Sequence, residues 1–153
     1  MEILVLEAST VSAKAMLYHT RDGSFEVRTR EYEGCYENGP SEHRAEAVYQ
    51  QMIAVGRELA GGHPIDIISL SSTWQNLLLC DQSMVPVTPA YPWNYMGASE
   101  LCRQLRRDRD YVSAYYQKTG CMVSAIYPFF KLRLLRQRGV PVDSCFVTNQ
   151  GAY

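Results

Sequence analysis

The sequence has 153 residues, 46% of them hydrophobic, which suits one globular domain with a sizeable core and excludes a strongly disordered chain. With 15 Lys+Arg against 16 Asp+Glu and a formal net charge of -1, there is no positive field to hold a phosphate backbone, so nucleic acid is not an expected partner. No apolar run approaches the ~20 residues that span a bilayer, and Met1-Glu2-Ile3 opens without a basic stretch or cleavage site; no membrane contact and a cytoplasmic location are therefore expected.

Ile3 to Leu6 is a continuous apolar run, and a strand-like pattern resumes from Ala13 to Tyr18 after a small polar interval. Arg21-Asp22-Gly23-Ser24 supplies turn chemistry, and Phe25, Val27 and Thr29 then alternate with Glu26, Arg28 and Arg30. The first third thus reads as a three-stranded antiparallel meander. Gly39-Pro40-Ser41 ends it and places Ser41 as a helix N-cap, followed by Ala45, Val48, Met52, Val55 and Leu59 at helical spacing for about five turns.

Gly61-Gly62 stops this helix, and Ile65 to Ser71 is a short apolar run suited to a strand parallel to the first. Leu77 to Cys80 adds a further strand, closed by the turn Asp81-Gln82-Ser83. Pro86, Pro89 and Pro92 make Val85 to Trp93 an ordered loop or edge. Ser99 to Lys118 is helical by period, with a bend at Arg106-Arg107-Asp108-Arg109-Asp110, whose alternating signs mark a solvated face. Pro128 opens another helix through Arg138, Gly139 ends it, and Cys145 to Val147 forms a last strand.

Cys35, Cys80, Cys102, Cys121 and Cys145 are odd in number and show no C-x-x-C pairing, so reduced thiols serving as small core residues are expected. The histidines give no ligand spacing: His19 falls at a strand end, His43 in the first helical turn and His63 in a loop, so no metal site is expected from them. The order of three antiparallel strands, helix, strand, helices and strand resembles the ribonuclease-H-like half of the actin-like ATPase superfamily. That is an α/β fold with a mixed sheet and helices on both faces, here incomplete at the C-terminus.

Four motifs carry the chemistry. In Glu7-Ala8-Ser9-Thr10-Val11-Ser12-Ala13-Lys14, a turn can aim backbone N–H groups and hydroxyls at a phosphate, with Glu7 holding Mg²⁺ through water and Lys14 adding charge. The plain alternative is a hairpin whose hydroxyls satisfy their own backbone. This motif resembles the Asp-x-Gly-Thr-Ser-x-x-Lys opening of the FGGY carbohydrate kinases, and the resemblance extends along nearly the whole chain. Thr10 and Lys14 match, while Glu7 replaces Asp and Ser9 replaces Gly.

The second motif, Ile68 to Leu77, is similar to the family strand and loop ending in Ser-Ser-x-Met-His-Ser in gluconate-kinase-like members. The resemblance places Trp74 and Gln75 against the sugar, an indole face for C–H groups and a carboxamide for hydroxyls; the alternative is that Trp74 plugs the core. Third, Pro89 to Gly97 is similar to Pro-Ala-x-x-Trp-x-Asp-x-Arg. Trp93 is kept, and the resemblance places it on the sugar; Tyr95 stands for Asp, where its hydroxyl can still meet a ligand, and Gly97 stands for Arg. Fourth, Thr119-Gly120-Cys121 followed by Tyr127-Pro128-x-x-Lys131 resembles the gluconate-kinase-like subgroup, with Tyr127 near the Trp74 cleft and Lys131 in a structural ion pair or on a ligand.

The resemblance implies that residues 1–153 are the truncated N-terminal, sugar-binding domain of an ATP- and Mg²⁺-dependent carbohydrate kinase of gluconate- or xylulose-kinase type. Its partners would be a sugar or sugar-acid substrate and the rest of the kinase, including a C-terminal domain, with a homodimer open. The general base is a downstream Asp, so no catalytic residue lies in this chain, which alone should be inactive. The substitutions at Glu7, Ser9, Tyr95 and Gly97 support an alternative, a non-catalytic binding or assembly module on the same fold. A nuclease would need a second carboxylate where the fourth strand ends in Ser71-Ser72-Thr73.

Overall fold

The apolar–polar alternation of the first thirty residues builds three strands in the computed structural model, which describes residues 1–153. These are β1 (Glu2–Ala8), β2 (Ser12–His19) and β3 (Phe25–Glu31). β1 and β2 pair antiparallel with Glu7 opposite Lys14, and β3 continues the meander. After helix α1 (Ala45–Ala60), β4 (Ile67–Ser72) joins β1 in parallel, giving the order β3-β2-β1-β4.

Leu4, Leu6, Ala8, Ala13, Ala15 and Leu17 point to one face of this sheet and pack against Val48, Val55 and Leu59 of α1. Gly56 allows the close approach, since a Cβ there would fall 2.5 Å from Leu6 Cδ2. Ile3, Val5, Met16 and Tyr18 on the other side stay partly open, while Ile68 and Leu70 of β4, in register with Leu4 and Leu6 on the α1 side, are exposed. The expected α/β architecture with a mixed sheet is present, and the helices that follow gather around a second, smaller sheet and its loops.

That second sheet pairs β5 (Leu78–Cys80) antiparallel with β6 (Phe146–Thr148). The expected single helix from Ser99 divides into α2 (Ser99–Leu105) and α3 (Arg109–Thr119), because the Asp108 carboxylate accepts the Tyr111 N–H at 3.0 Å and starts a new helix. α4 (Pro128–Gln137) opens on its proline. Cys35, Cys80 and Cys102 are buried, and all five thiols are unpaired. No helix is long and apolar enough to cross a membrane.

The start of α1 differs from the sequence expectation. Ser41 is not its N-cap; the helix begins after Arg44, with no side-chain cap bond. The reason lies in His43, whose backbone is drawn into a bridge with Ala90 (N–H to O, 2.9 and 2.8 Å each way), so the chain stays extended through residue 43. His43 is thus not in a helical turn. Its ring is buried between Tyr32 and Tyr36, and burial lowers its pKa.

Candidate functional site

The turn between β1 and β2 is closed by its own serines. Ser9 Oγ donates to Ser12 O at 2.8 Å and lies 3.0 Å from Ser12 Oγ, while Ser12 N–H returns to Ser9 Oγ at 3.2 Å. The plain hairpin reading therefore holds for Ser9. Glu7 and Lys14, placed opposite each other by the strand register, form an ion pair at 3.0 Å. Thr10 is different: its hydroxyl accepts the Trp93 indole N–H at 3.1 Å, joining the hairpin to the loop after β5.

A lone carboxylate already neutralised by an ammonium is a poor magnesium ligand, and no three His, Cys, Asp or Glu side chains come together in this chain. These residues do not fit a Mg²⁺ site as they stand. The nuclease alternative fails on the same geometry, because Glu7 faces Ser71 across the β1–β4 pair, where a second carboxylate would be needed.

After β4 the chain turns sharply. Thr73 N–H bonds Ala8 O at 3.0 Å, Asn76 Nδ2 donates to Thr73 O, and Gln75 takes a left-handed φ of 57°, uncommon for a residue with a side chain. This turn leaves Trp74 83% exposed, so it does not plug the core. Trp74 and Gln75 line a cleft of about 280 Å³ with Ser72, Thr73, Asn76, Pro128 and Asn149. The 91–95 loop is anchored by the mutual Leu77–Tyr91 backbone bonds at 3.0 and 2.8 Å and holds Trp93 half exposed.

The two indole-bearing loops meet at Lys131. Its Nζ donates to Gln75 O and Pro92 O, both at 2.7 Å, and to Tyr91 O at 3.3 Å. The sequence expectation for Lys131 is an ion pair or a ligand contact; it forms no ion pair, meets these three carbonyls instead and is wholly buried. Thr10, Trp74, Gln75 and Trp93 are thus brought to one neighbourhood.

Tyr95 and Tyr127 are not. Tyr95 is buried, its ring centred 4.4 Å from that of Tyr91, its hydroxyl accepting from Arg138 at 3.3 Å. It borders a separate cleft of about 690 Å³ whose lining includes the charged groups of Glu37, Arg44 and Arg138. The expectation that Tyr95 meets a ligand beside the indoles is corrected by this packing: Gly97 lacks a side chain and Tyr95 fills its space, so that a Cβ at Gly97 would lie 2.6 Å from Tyr95 Cε1. Tyr127 stands at the N-cap of α4 but packs on the cluster of Ala98, Cys102 and Phe130; its neighbour Pro128 borders the Trp74 cleft instead.

Sequence reasoning missed Asn76 and Asn149. Asn76 is buried, and its Oδ1 accepts the Gln150 N–H at 2.7 Å, which fixes Asn149 at the rim of the Trp74 cleft. A polar residue entering the apolar run Leu77–Leu79 was the available signal.

Known proteins share this fold. Over 97% of the chain and 31% of the other, the fold superposes on a gluconate kinase from Lactobacillus acidophilus with a TM-score of 0.84 at 18% identity. A Plasmodium falciparum glycerol kinase with ADP matches over 97% of this chain and 32% of its own, with a TM-score of 0.81 at 17% identity. Among curated sequences, the glycerol kinase of Janthinobacterium sp. (strain Marseille) is 24% identical over 140 residues, 87% of this chain and 28% of that protein. The chain therefore spans under a third of the length of the relatives it matches. Residues 2–141 match the N-terminal domain of the FGGY family of carbohydrate kinases, and by that match over most of its length the chain belongs to this family.

Proposed function

We propose that residues 1–153 form the sugar-facing part of a carbohydrate kinase acting on a sugar acid or polyol of the gluconate or xylulose type. The observation that supports this reading best is the convergence of Thr10, Trp93, Trp74 and Gln75 through one indole hydrogen bond and one buried ammonium. The exposed indole of Trp74 presents an apolar face to sugar C–H groups, and the Gln75 carboxamide can donate to and accept from hydroxyls. ATP would supply the transferred phosphoryl group. The general base, the remaining nucleotide contacts and the magnesium ligands are assigned to chain outside these residues, so the 153-residue chain has no turnover of its own in this reading.

A specific observation favours a second reading. Ser9 commits its hydroxyl to Ser12, and Lys14 commits its charge to Glu7, which leaves the phosphate-side hairpin closed on itself. A non-catalytic binding or assembly module would keep this closure. One experiment separates the two: tryptophan emission of the purified chain titrated with gluconate, xylulose and glycerol, alongside a phosphorylation assay with Mg·ATP. The kinase reading expects a saturable change with at least one of these and no product. Silence with all three favours the module, and robust phosphorylation overturns the assignment of the base elsewhere.

A further inference from the structure

Lys131 lies one turn inside α4 and is 0% exposed. A cation so placed ordinarily meets a carboxylate, because an unpaired buried charge is costly. None is in contact here. The three ammonium protons match three main-chain oxygens instead: Gln75 O at 2.7 Å, Pro92 O at 2.7 Å and Tyr91 O at 3.3 Å. Burial pulls the lysine down to about 8, which still leaves it protonated at neutral pH.

The positions of those oxygens are informative. Gln75 follows Trp74, Pro92 precedes Trp93, and these are the two tryptophans of the chain. The left-handed backbone of Gln75 is a conformation that persists where the surroundings over-determine it, and the ammonium is one such constraint. With its donors consumed, Lys131 has none left for a ligand.

We propose that Lys131 is a positioning residue: its buried ammonium clasps the main chains of the 73–77 and 91–95 loops and so sets the placement of both indoles. What the indoles serve rests on the sugar-facing reading above, but the clasp itself is tested without sugar or nucleotide, so the two can fail separately.

In a Trp74→Phe background, Trp93 is the single indole. Lys131→Met, which keeps the length of the side chain and removes its donors, is compared with Lys131 in that background by circular dichroism, urea unfolding and acrylamide quenching at pH 7. The Met variant is expected to unfold cooperatively at a lower midpoint. Its native-state quenching constant should rise about 1.5- to 2-fold, the upper figure being the ratio of a free indole to the 50% exposed Trp93, with emission shifted to the red. A folded Met variant with unchanged quenching and emission overturns the proposal, because a residue that only adds stability would move the midpoint and leave native Trp93 where it was. Should the Met variant lack a cooperative transition, Lys131→Gln, with N–H donors on a shorter stem, is read by the same two outcomes.

Discussion

The packing of Tyr95 into the space beside Gly97 makes a quantitative prediction about coupling. A Cβ on Gly97 would sit 2.6 Å from Tyr95 Cε1 and closer still to Cζ and the hydroxyl. The ring has little room to yield, since it packs at 4.4 Å, tilted, against Tyr91 and is tied to Arg138. Gly97→Ala alone should therefore cost about 1–3 kcal/mol as overpacking. Tyr95→Leu removes the atoms that clash and should itself cost about 1–3 kcal/mol in lost packing. In the Tyr95→Leu background the added methyl meets open space, and because Gly97 does not have a positive φ, Gly97→Ala should there cost nothing or add up to ~1 kcal/mol by restricting the unfolded chain. The coupling energy is then roughly 1.5–3 kcal/mol. Urea unfolding of the four proteins at 25 °C measures it, each kcal/mol moving the midpoint by about 0.3–1 M. Additivity within about 0.5 kcal/mol, or a harmless Gly97→Ala in the parent, would refute the account of how these two positions are packed.

Two further predictions concern the hairpin and the pH response. Thr10→Val and Trp93→Phe should each lower stability by about 0.5–1.5 kcal/mol, and the double variant by no more than the larger single effect, because one hydrogen bond of 3.1 Å is removed in every case; denaturant midpoints decide it. His43 has its pKa lowered by burial, so the folded chain holds this proton less tightly than the unfolded chain does. Its contribution is fully present above the unfolded value of about 6.5 and is lost as pH falls through and below it toward the depressed folded value. Urea midpoints measured from pH 7.5 down to pH 5 should decline in the parent, and more steeply than in His43→Gln; parallel profiles would exclude this histidine as the cause.

The elements were legible in the sequence where a local period or a turn residue specified them. The β1–β3 meander, α1 and the proline-opened α4 follow from alternation, from helical spacing and from Gly61 at a φ of 54°. What was not legible was competition from distant chain. Ser41 offers a good cap, yet His43 bonds to Ala90, far along the chain, and delays the helix. Asp108 had the chemistry to end one helix and begin another, but period alone does not distinguish a bend from a break. The exposure of Ile68 and Leu70 at the sheet edge is beyond local pattern altogether, since these residues read the same whether covered or exposed.

At the site, each charged group was legible to the extent that its partner lies in the same hairpin. Once Ser9 closes the turn onto Ser12, the two-residue alternation sets Ala8 opposite Ala13 and Glu7 opposite Lys14, so their ion pair follows from register. Lys131 had no such guide, because its acceptors lie 56 and 39 residues away and are main-chain oxygens that any sequence would supply. The motif spacing marked Lys131 as constrained without showing by what. The same asymmetry explains why Thr10 and Trp93 were chosen for different reasons, one for a phosphate and one for a sugar, and are found bonded to each other. That bond ties the hydroxyl of the hairpin to the loop that Lys131 holds from below. A displacement of Trp93 would therefore be felt at the opening turn, and the closed hairpin and the two indole-bearing loops are best treated as one mechanical unit.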